Sequence, residues 1–168
     1  MKKYLLLALL IPNLVFALPQ TLNSYMAKHS TWSTSDKASL SYITSRCGVV
    51  FLIISERYKN MDGGQNIYQM ALMNAANFTT VSSDTYKSIG GEEKAFQERA
   101  TKWAKIYGEE AVNNIDGYGE MIHGDIKSDV SSCMDKVKPV IWLINKNDSW
   151  IYREWDPLLV KGFAIFCI

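Results

Sequence analysis

The apolar residues of this chain recur at intervals of three and four along much of its length. After Ser35 and Asp36, which can cap a helix, the first such stripe contains Leu40, Ile43, Cys47, Val50, Phe51, Ile54 and Tyr58. This spacing places the stripe on one face of a helix. β-branched residues are dense at 49–54 and leave a strand open there, but the periodic flanks favour the helix. The segment is too short to span a membrane, because Arg46 and Glu56 stand only ten residues apart.

Glycine-rich breaks divide the next part of the chain into further helical segments. The turns at 60–64 and 88–91 each carry a pair of glycines. The apolar spacing predicts three more helices, at 65–78, 92–122 and 125–137. The polar run 79–84 should end or fray the first of them. Asp125 should cap the third, and Pro139 should stop it.

Residues 140–168 differ in character from the rest. The runs 140–144 and 150–155 are rich in β-branched and aromatic residues and flank a polar turn, which predicts strand, turn and strand. The apolar segment 158–168 fits either a third strand or a short helix. We therefore predict a mainly α fold, a bundle of about four helices with a short β or irregular C-terminal segment.

The first residues have the layout of a secretory signal peptide. Lys2 and Lys3 precede an apolar stretch that ends at Phe16, and Ala17 offers a cleavage position. The stretch is short for a membrane span, so an uncleaved anchor is the weaker alternative. The predicted organisation is a signal peptide at 1–17, a flexible polar arm at 18–34 and a single helical domain at 35–168. The predicted location is the periplasm or the exterior of the cell.

The charge balance argues against nucleic-acid binding. The whole chain has a net charge of +1, and loss of Lys2 and Lys3 with the signal peptide would make it −1. Basic and acidic residues are scattered, with no basic patch of the kind that follows a phosphate backbone. We expect no nucleic-acid partner, and no stable membrane span once the signal is cleaved.

The three cysteines suggest one disulfide. Cys47 and Cys133 both lie on apolar stripes, so both should face the bundle core, and an exported protein meets an oxidising compartment. We predict a Cys47–Cys133 disulfide; two buried thiols are the alternative. Cys167 is then left over as a free thiol, an incidental feature of the tail or the site of an intermolecular link.

Candidate chemistry is sparse. The stretch Glu120–Asp125 contains His123, and a helical turn would place Glu120 beside this histidine, with Asp125 at a glycine break. A histidine oriented by a carboxylate can act as a general base. The pattern supplies no nucleophile, so a solvated or helix-capping histidine is the stronger interpretation. We predict no metal site and no cofactor, since the two histidines are distant and no cysteine–histidine cluster is present.

The aromatic residues near the C-terminus point to a binding surface. Large aromatics with an arginine are typical of interface anchors, and the candidates are Trp142, Trp150, Tyr152, Arg153 and Trp155. The alternative is that they form part of the core.

Taken as a sequence, the chain favours an exported helical protein that binds a protein partner, in the manner of small inhibitors or immunity proteins. It is less consistent with an enzyme. One alternative is a cell-envelope hydrolase with His123 as base and Glu120 or Asp125 as its orienting group. Another is a carrier of an apolar small ligand, suggested by the methionine content. No stretch matches a family motif.

Overall fold

The chain folds into a helical bundle, as the sequence predicts. The computed structural model describes residues 20–147. Its elements are α1 (Leu22–Lys28), α2 (Lys37–Tyr58), α3 (Gln65–Ser88), α4 (Glu93–Tyr118), α5 (Gly124–Ser132), a π-helical turn (Cys133–Val137) and α6 (Lys138–Asn147). Since α5, the π-helical turn and α6 follow one another without a break, the part described holds five separate helices rather than about four. No strand occurs within it.

Helix α2 is the central helix and packs against α1, α3, α4, α5 and the π-helical turn. It begins where predicted, because the Asp36 carboxylate accepts the backbone N–H of Ser39 at 2.9 Å and satisfies one of the free donors of the first turn. The predicted apolar stripe is buried over Ile43, Cys47, Val50, Phe51 and Ile54. The strand alternative for 49–54 is therefore wrong.

Helix α2 is also long and apolar enough to cross a membrane, with a mean hydropathy of 1.5. In the bundle, 78% of that apolar window is buried by other parts of the protein. A buried core helix meets the same criterion of length and composition, so this property carries little evidence for a membrane span.

Helices α2 and α3 pack at very short range. A methyl group on Gly48 would lie 2.5 Å from Oγ1 of Thr79, so glycine allows the close approach. Further along, the hydroxyl of Ser41 donates to the carbonyl of Ser82 at 3.0 Å, and the hydroxyl of Ser82 donates to the carbonyl of Ser41 at 2.6 Å. These contacts explain why α3 continues through 79–84 to Ser88, where the sequence predicted an end or fraying: small polar residues there pack against α2.

The turn from α4 to α5 is fixed by a glycine and an asparagine. Gly119 adopts φ 74°, a left-handed conformation that ends α4. The side chain of Asn114 donates to the carbonyls of Met121 and His123 at 3.1 and 3.2 Å and holds the loop against α4. Helix α5 starts at Gly124 with His123 at its N-cap position, so Asp125 lies in the first turn and is not the predicted cap.

The prediction of a loosely ordered arm at 18–34 is wrong for the part described. Residues 22–28 form α1, and its apolar side chains Leu22 and Met26 are buried in the bundle together with Trp32. The helix is short, and its two buried apolar residues are too few to give a periodic stripe. Tertiary packing and a buried backbone contact, described below, order this segment.

The predicted stop at Pro139 and the predicted strand at 140–144 are also wrong, because α6 runs from Lys138 to Asn147. The backbone N–H of Lys138 bonds to the carbonyl of Cys133, five residues back. A π-helical turn inserts one extra residue in this way, and Pro139 is the second residue after it, where its missing N–H and its ring are accommodated without ending the helix. The predicted strands at 150–155 and 158–168 lie outside the described residues.

Candidate functional site

The predicted disulfide is present. Cys47 of α2 and Cys133 of the π-helical turn are bonded, with their Cα atoms 5.7 Å apart. Both residues are fully buried. The bond joins elements 86 residues apart in the sequence and fixes α2 against the C-terminal part of the bundle. Cys167 lies outside the described residues.

Beside the disulfide lies a buried ion pair that the sequence analysis missed. The guanidinium of Arg46 donates through Nη2 to Oδ2 of Asp129, and the two side chains are 2% and 0% exposed. The Tyr107 hydroxyl donates to the same carboxylate oxygen and accepts from Nε of Arg46 at 3.0 Å. The Arg46 guanidinium also lies 4.1 Å from the ring centre of Trp103, a cation–π contact. The group links α2, α4 and α5.

The same ion pair holds the N-terminal segment. The backbone N–H of Leu22 donates to Oδ1 of Asp129 at 2.8 Å, and Nη1 of Arg46 donates to the carbonyl of Gln20 at 2.7 Å. These two backbone contacts explain why residues 20–28 are ordered without an apolar stripe of their own. These contacts therefore have a structural role, and the side chains of Arg46, Tyr107 and Asp129 are buried inside the bundle.

Burial and charge set the protonation states in this network. Burial first, and the charge of Asp129 next, raise the pKa of the Tyr107 hydroxyl well above its ordinary value, so that it remains a donor. Burial alone would lower the pKa of Arg46, but Tyr107 and Asp129 outweigh it, and the pKa is raised. Arg46 therefore carries its positive charge at neutral pH, and Tyr107 keeps its proton.

The three residues of the general-base hypothesis are not assembled as it requires. Helix α4 ends at Tyr118, so Glu120 lies in the following loop and is exposed. The ring of His123 stacks on Tyr118 with centroids 3.8 Å apart. Within residues 20–147, His123 has no hydrogen bond or ion pair to the carboxylate of Glu120 or Asp125. His123 occupies the N-cap position of α5, but its side chain makes no capping hydrogen bond and is half-buried, so it is neither the side-chain cap nor the fully solvated residue that the sequence suggested.

A carboxylate that does act on α5 is Glu110. Its side chain reaches from α4 and accepts the backbone N–H of Ile126 at 3.1 Å, in the first turn of α5. Burial, followed by repulsion from Asp125 and Asp129, raises the pKa of Glu110, although the hydrogen bond from Ile126 opposes this. Such a carboxyl binds protons more tightly in the folded than in the unfolded chain, so it contributes stability below its unfolded pKa that is lost as the pH rises through the folded pKa.

We expect Glu110→Gln to leave stability at pH 7 unchanged or raise it by less than about 1 kcal/mol, because the amide oxygen still accepts from Ile126 without a charge to desolvate. Urea unfolding between pH 4.5 and 7 would check this. The variant should lose less stability than the wild type as the pH rises over this interval. A clear destabilisation at pH 7 would mean that the charge stabilises the start of α5 through the helix dipole instead.

Large apolar side chains are exposed along one part of α3. Ile67, Met70 and Met73 are 37%, 51% and 51% exposed and follow one another at intervals of three residues; we call them the methionine face. The chain carries no Asp, Glu, Lys or Arg between Asp62 and Asp84, so the helix around this face is uncharged. Interface cores are depleted in charge and enriched in methionine in the same way. In the sequence alone, the methionines suggested only a carrier of an apolar ligand.

The predicted aromatic binding surface is described only at its first residue. Trp142 on α6 is 58% exposed, and its neighbour Leu143 is 54% exposed. The other four candidates, Trp150, Tyr152, Arg153 and Trp155, lie outside the described residues.

Within residues 20–147, no group of three or more His, Cys, Asp or Glu side chains is placed to hold a metal ion. Comparison of the chain with family models, curated proteins and solved structures gives no match.

Proposed function

We propose that this chain is an exported helical protein that acts by binding a protein partner, and that the methionine face of α3 is a contact surface. The observation that carries the proposal is the exposure of Ile67, Met70 and Met73 on a helix with no charged residue between Asp62 and Asp84. Exposed apolar groups of this kind mark interaction sites on protein surfaces. Methionine side chains are flexible and polarisable, which suits them to contact with another protein.

The framework behind this face supports the proposal. Helix α3 is fixed to α2 by the Gly48 contact and the paired hydrogen bonds of Ser41 and Ser82, and α2 is cross-linked through Cys47. A surface held rigid before binding loses less conformational entropy when its partner arrives. The disulfide is also consistent with export, since such bonds persist in oxidising compartments. An inhibitor or immunity protein is one form this function could take.

The test is capture of a partner from the envelope fraction of the host, using the chain without residues 1–17 and its variants. Met70→Glu combined with Met73→Glu places two charges on the methionine face and should abolish capture of any specific partner. Val112→Glu is the matched control, because Val112 is an apolar residue on α4 with 56% exposure. The control should capture the partner as the wild type does. All variants should keep the same helix content by circular dichroism, since the substituted residues are exposed.

The outcomes separate the possibilities. A partner retained by the wild type and the control but lost by the double variant supports the proposal. A partner retained by all three proteins would show that the methionine face is not the contact surface. No specific partner at all would contradict the binding function itself. A wash with reductant in the same experiment would show whether a captured protein is linked through Cys167.

A further inference from the structure

A second arginine occupies the bundle without the compensation that Arg46 receives. Arg99 lies on α4 three residues after the buried Phe96 and four before the buried Trp103, and it is half-buried. Its Nη2 donates to the hydroxyl of Ser41 at 2.9 Å. Its Nε is buried without a hydrogen-bond partner. Within residues 20–147 no carboxylate forms an ion pair with it, whereas Arg46 has Asp129.

Three acidic residues on neighbouring elements have other partners. Glu93, near the start of α4, pairs with Lys87 at 3.0 Å. Asp36 caps α2 and faces His29 at 3.7 Å. Glu110, the half-buried acid of α4, is eleven residues further along the helix, about 16 Å away, and accepts from Ile126. The titratable groups that act on the pKa of Arg99 are the hydroxyls of Tyr86, Tyr42 and Tyr25, which are neutral at neutral pH.

Aromatic side chains hold the guanidinium in place. Its central carbon lies 4.6 Å from the ring centre of Tyr86 and 5.6 Å from that of Phe96. Tyr86 itself is tightly placed, because a Cβ atom on Gly91 would come within 2.4 Å of its ring. Tyr25 and Tyr42 contact each other, with ring centres 4.3 Å apart. An arginine packed against aromatic rings is typical of an interface anchor.

A desolvated cation without a counter-ion is unfavourable in the folded chain. Burial lowers the pKa of Arg99, and the tyrosines offset this only in part, although arginine keeps its charge at neutral pH. Cation–π contacts hold the group in position but do not neutralise it. Arg99 is only half-buried, so its exposed side remains open to an anion, and a carboxylate fits the outer N–H groups of the planar guanidinium.

We propose that Arg99, held against Tyr86 and Phe96, is an anchor that receives an acidic side chain of the protein partner. This rests on the proposed function and adds the chemistry of a second contact. Arg99 and the methionine face lie on different helices, so each can be tested without the other. In this proposal a carboxylate of the partner pairs with Arg99, as the carboxylate of Asp129 pairs with Arg46 within the fold.

The test uses the purified partner obtained in the capture experiment. Arg99→Met keeps an unbranched apolar chain over Tyr86 and removes the charge, so it should fold and lose affinity at least tenfold. Lys102→Met is the matched control, since Lys102 is an exposed cation on the same helix, and its affinity should stay within twofold of the wild type. The affinity of Arg99→Met should also depend less on salt, because one ion pair is lost.

Charge exchange identifies the group that Arg99 contacts. Arg99→Glu should bind poorly, and a partner variant in which one Asp or Glu is replaced by Lys should restore its binding. Equal affinities of Arg99→Met and Lys102→Met would overturn the carboxylate anchor while leaving the binding function in place. An equal loss in Arg99→Met and in the uncharged substitution Tyr86→Phe, with no effect of salt, would also overturn it. Absence of any partner in the capture experiment would overturn both proposals.

Discussion

Replacing Asp129 by asparagine should lower the free energy of unfolding by about 3–5 kcal/mol, the range found when one member of a buried ion pair is removed. The side chain keeps its size and an oxygen that can accept from the backbone of Leu22. It loses the negative charge, however, and Arg46 is left 2% exposed with no counter-ion. Since domains of this size are stable by about 5–15 kcal/mol in total, the variant should unfold at a much lower urea concentration, as followed by circular dichroism.

Asp135→Asn is the control for this substitution. Asp135 is an exposed residue of the π-helical turn, and the same chemical change there should alter stability by no more than about 0.5 kcal/mol. A double variant, Arg46→Met with Asp129→Leu, should regain part of the stability lost in Asp129→Asn, because no unpaired charge remains. The recovery should be partial, since the backbone N–H of Leu22 then has no acceptor there. If Asp129→Asn is as stable as the control, the charge of the pair does not stabilise the bundle.

The ion pair of Arg46 and Asp129 was not predicted from the sequence. Helices α2 to α5 and the disulfide could be predicted because their apolar residues follow regular spacings. Arg46 falls three residues after the buried Ile43 and four before the buried Val50. Asp129 likewise falls three residues after the buried Ile126 and four before the buried Cys133. A charged residue at a position that the spacing assigns to the buried face could have been recognised in the sequence. Two such residues of opposite charge predict a buried ion pair.

Arg99 also stands at a buried-face position, three residues after Phe96 and four before Trp103. The spacing alone would therefore predict an ion pair for Arg99 as well, and the structure shows none within residues 20–147. The spacing identifies two stripe arginines, Arg46 and Arg99, while the ion pair uses the acid Asp129 for only one of them. The sequence does not show which arginine receives it, because that depends on how α4 and α5 approach α2. The choice of arginine depends on contacts between helices that are distant in the sequence, and the periodicity along one helix contains no information on such contacts.

The errors at both ends of the bundle have a related cause. Helix α1 is short and is ordered by the contacts of Leu22 and Gln20 with the ion pair. At the other end, Pro139 is tolerated because a π-helical turn precedes it. In both places the local sequence favoured a different conformation, and interactions with residues far along the chain determined the outcome. The methionine face could not be predicted because the spacing of apolar residues does not show which of them remain exposed after the helices pack.

Replacing Cys47 and Cys133 together by alanine should lower the free energy of unfolding by about 4 kcal/mol or more. The bond links residues 86 positions apart, and chain-entropy models assign roughly 4 kcal/mol to a loop of that size. Both sulfurs are also fully buried, so their removal leaves space in the core and adds a packing loss. Because the unfolded chain is no longer cross-linked, it should expose more surface, and the slope of the urea transition should increase.

The contribution of the disulfide bond to stability can be measured separately from the contribution of packing around its sulfur atoms. Wild-type protein unfolded with reductant should gain two hydrogens in mass and show the shifted transition, whereas native protein under the same reductant should react slowly, since the sulfurs are shielded until the bundle opens. Cys167→Ser is the matched control, and its disulfide and urea transition should equal those of the wild type. If the double alanine variant unfolds at the wild-type urea concentration, the bond adds no stability.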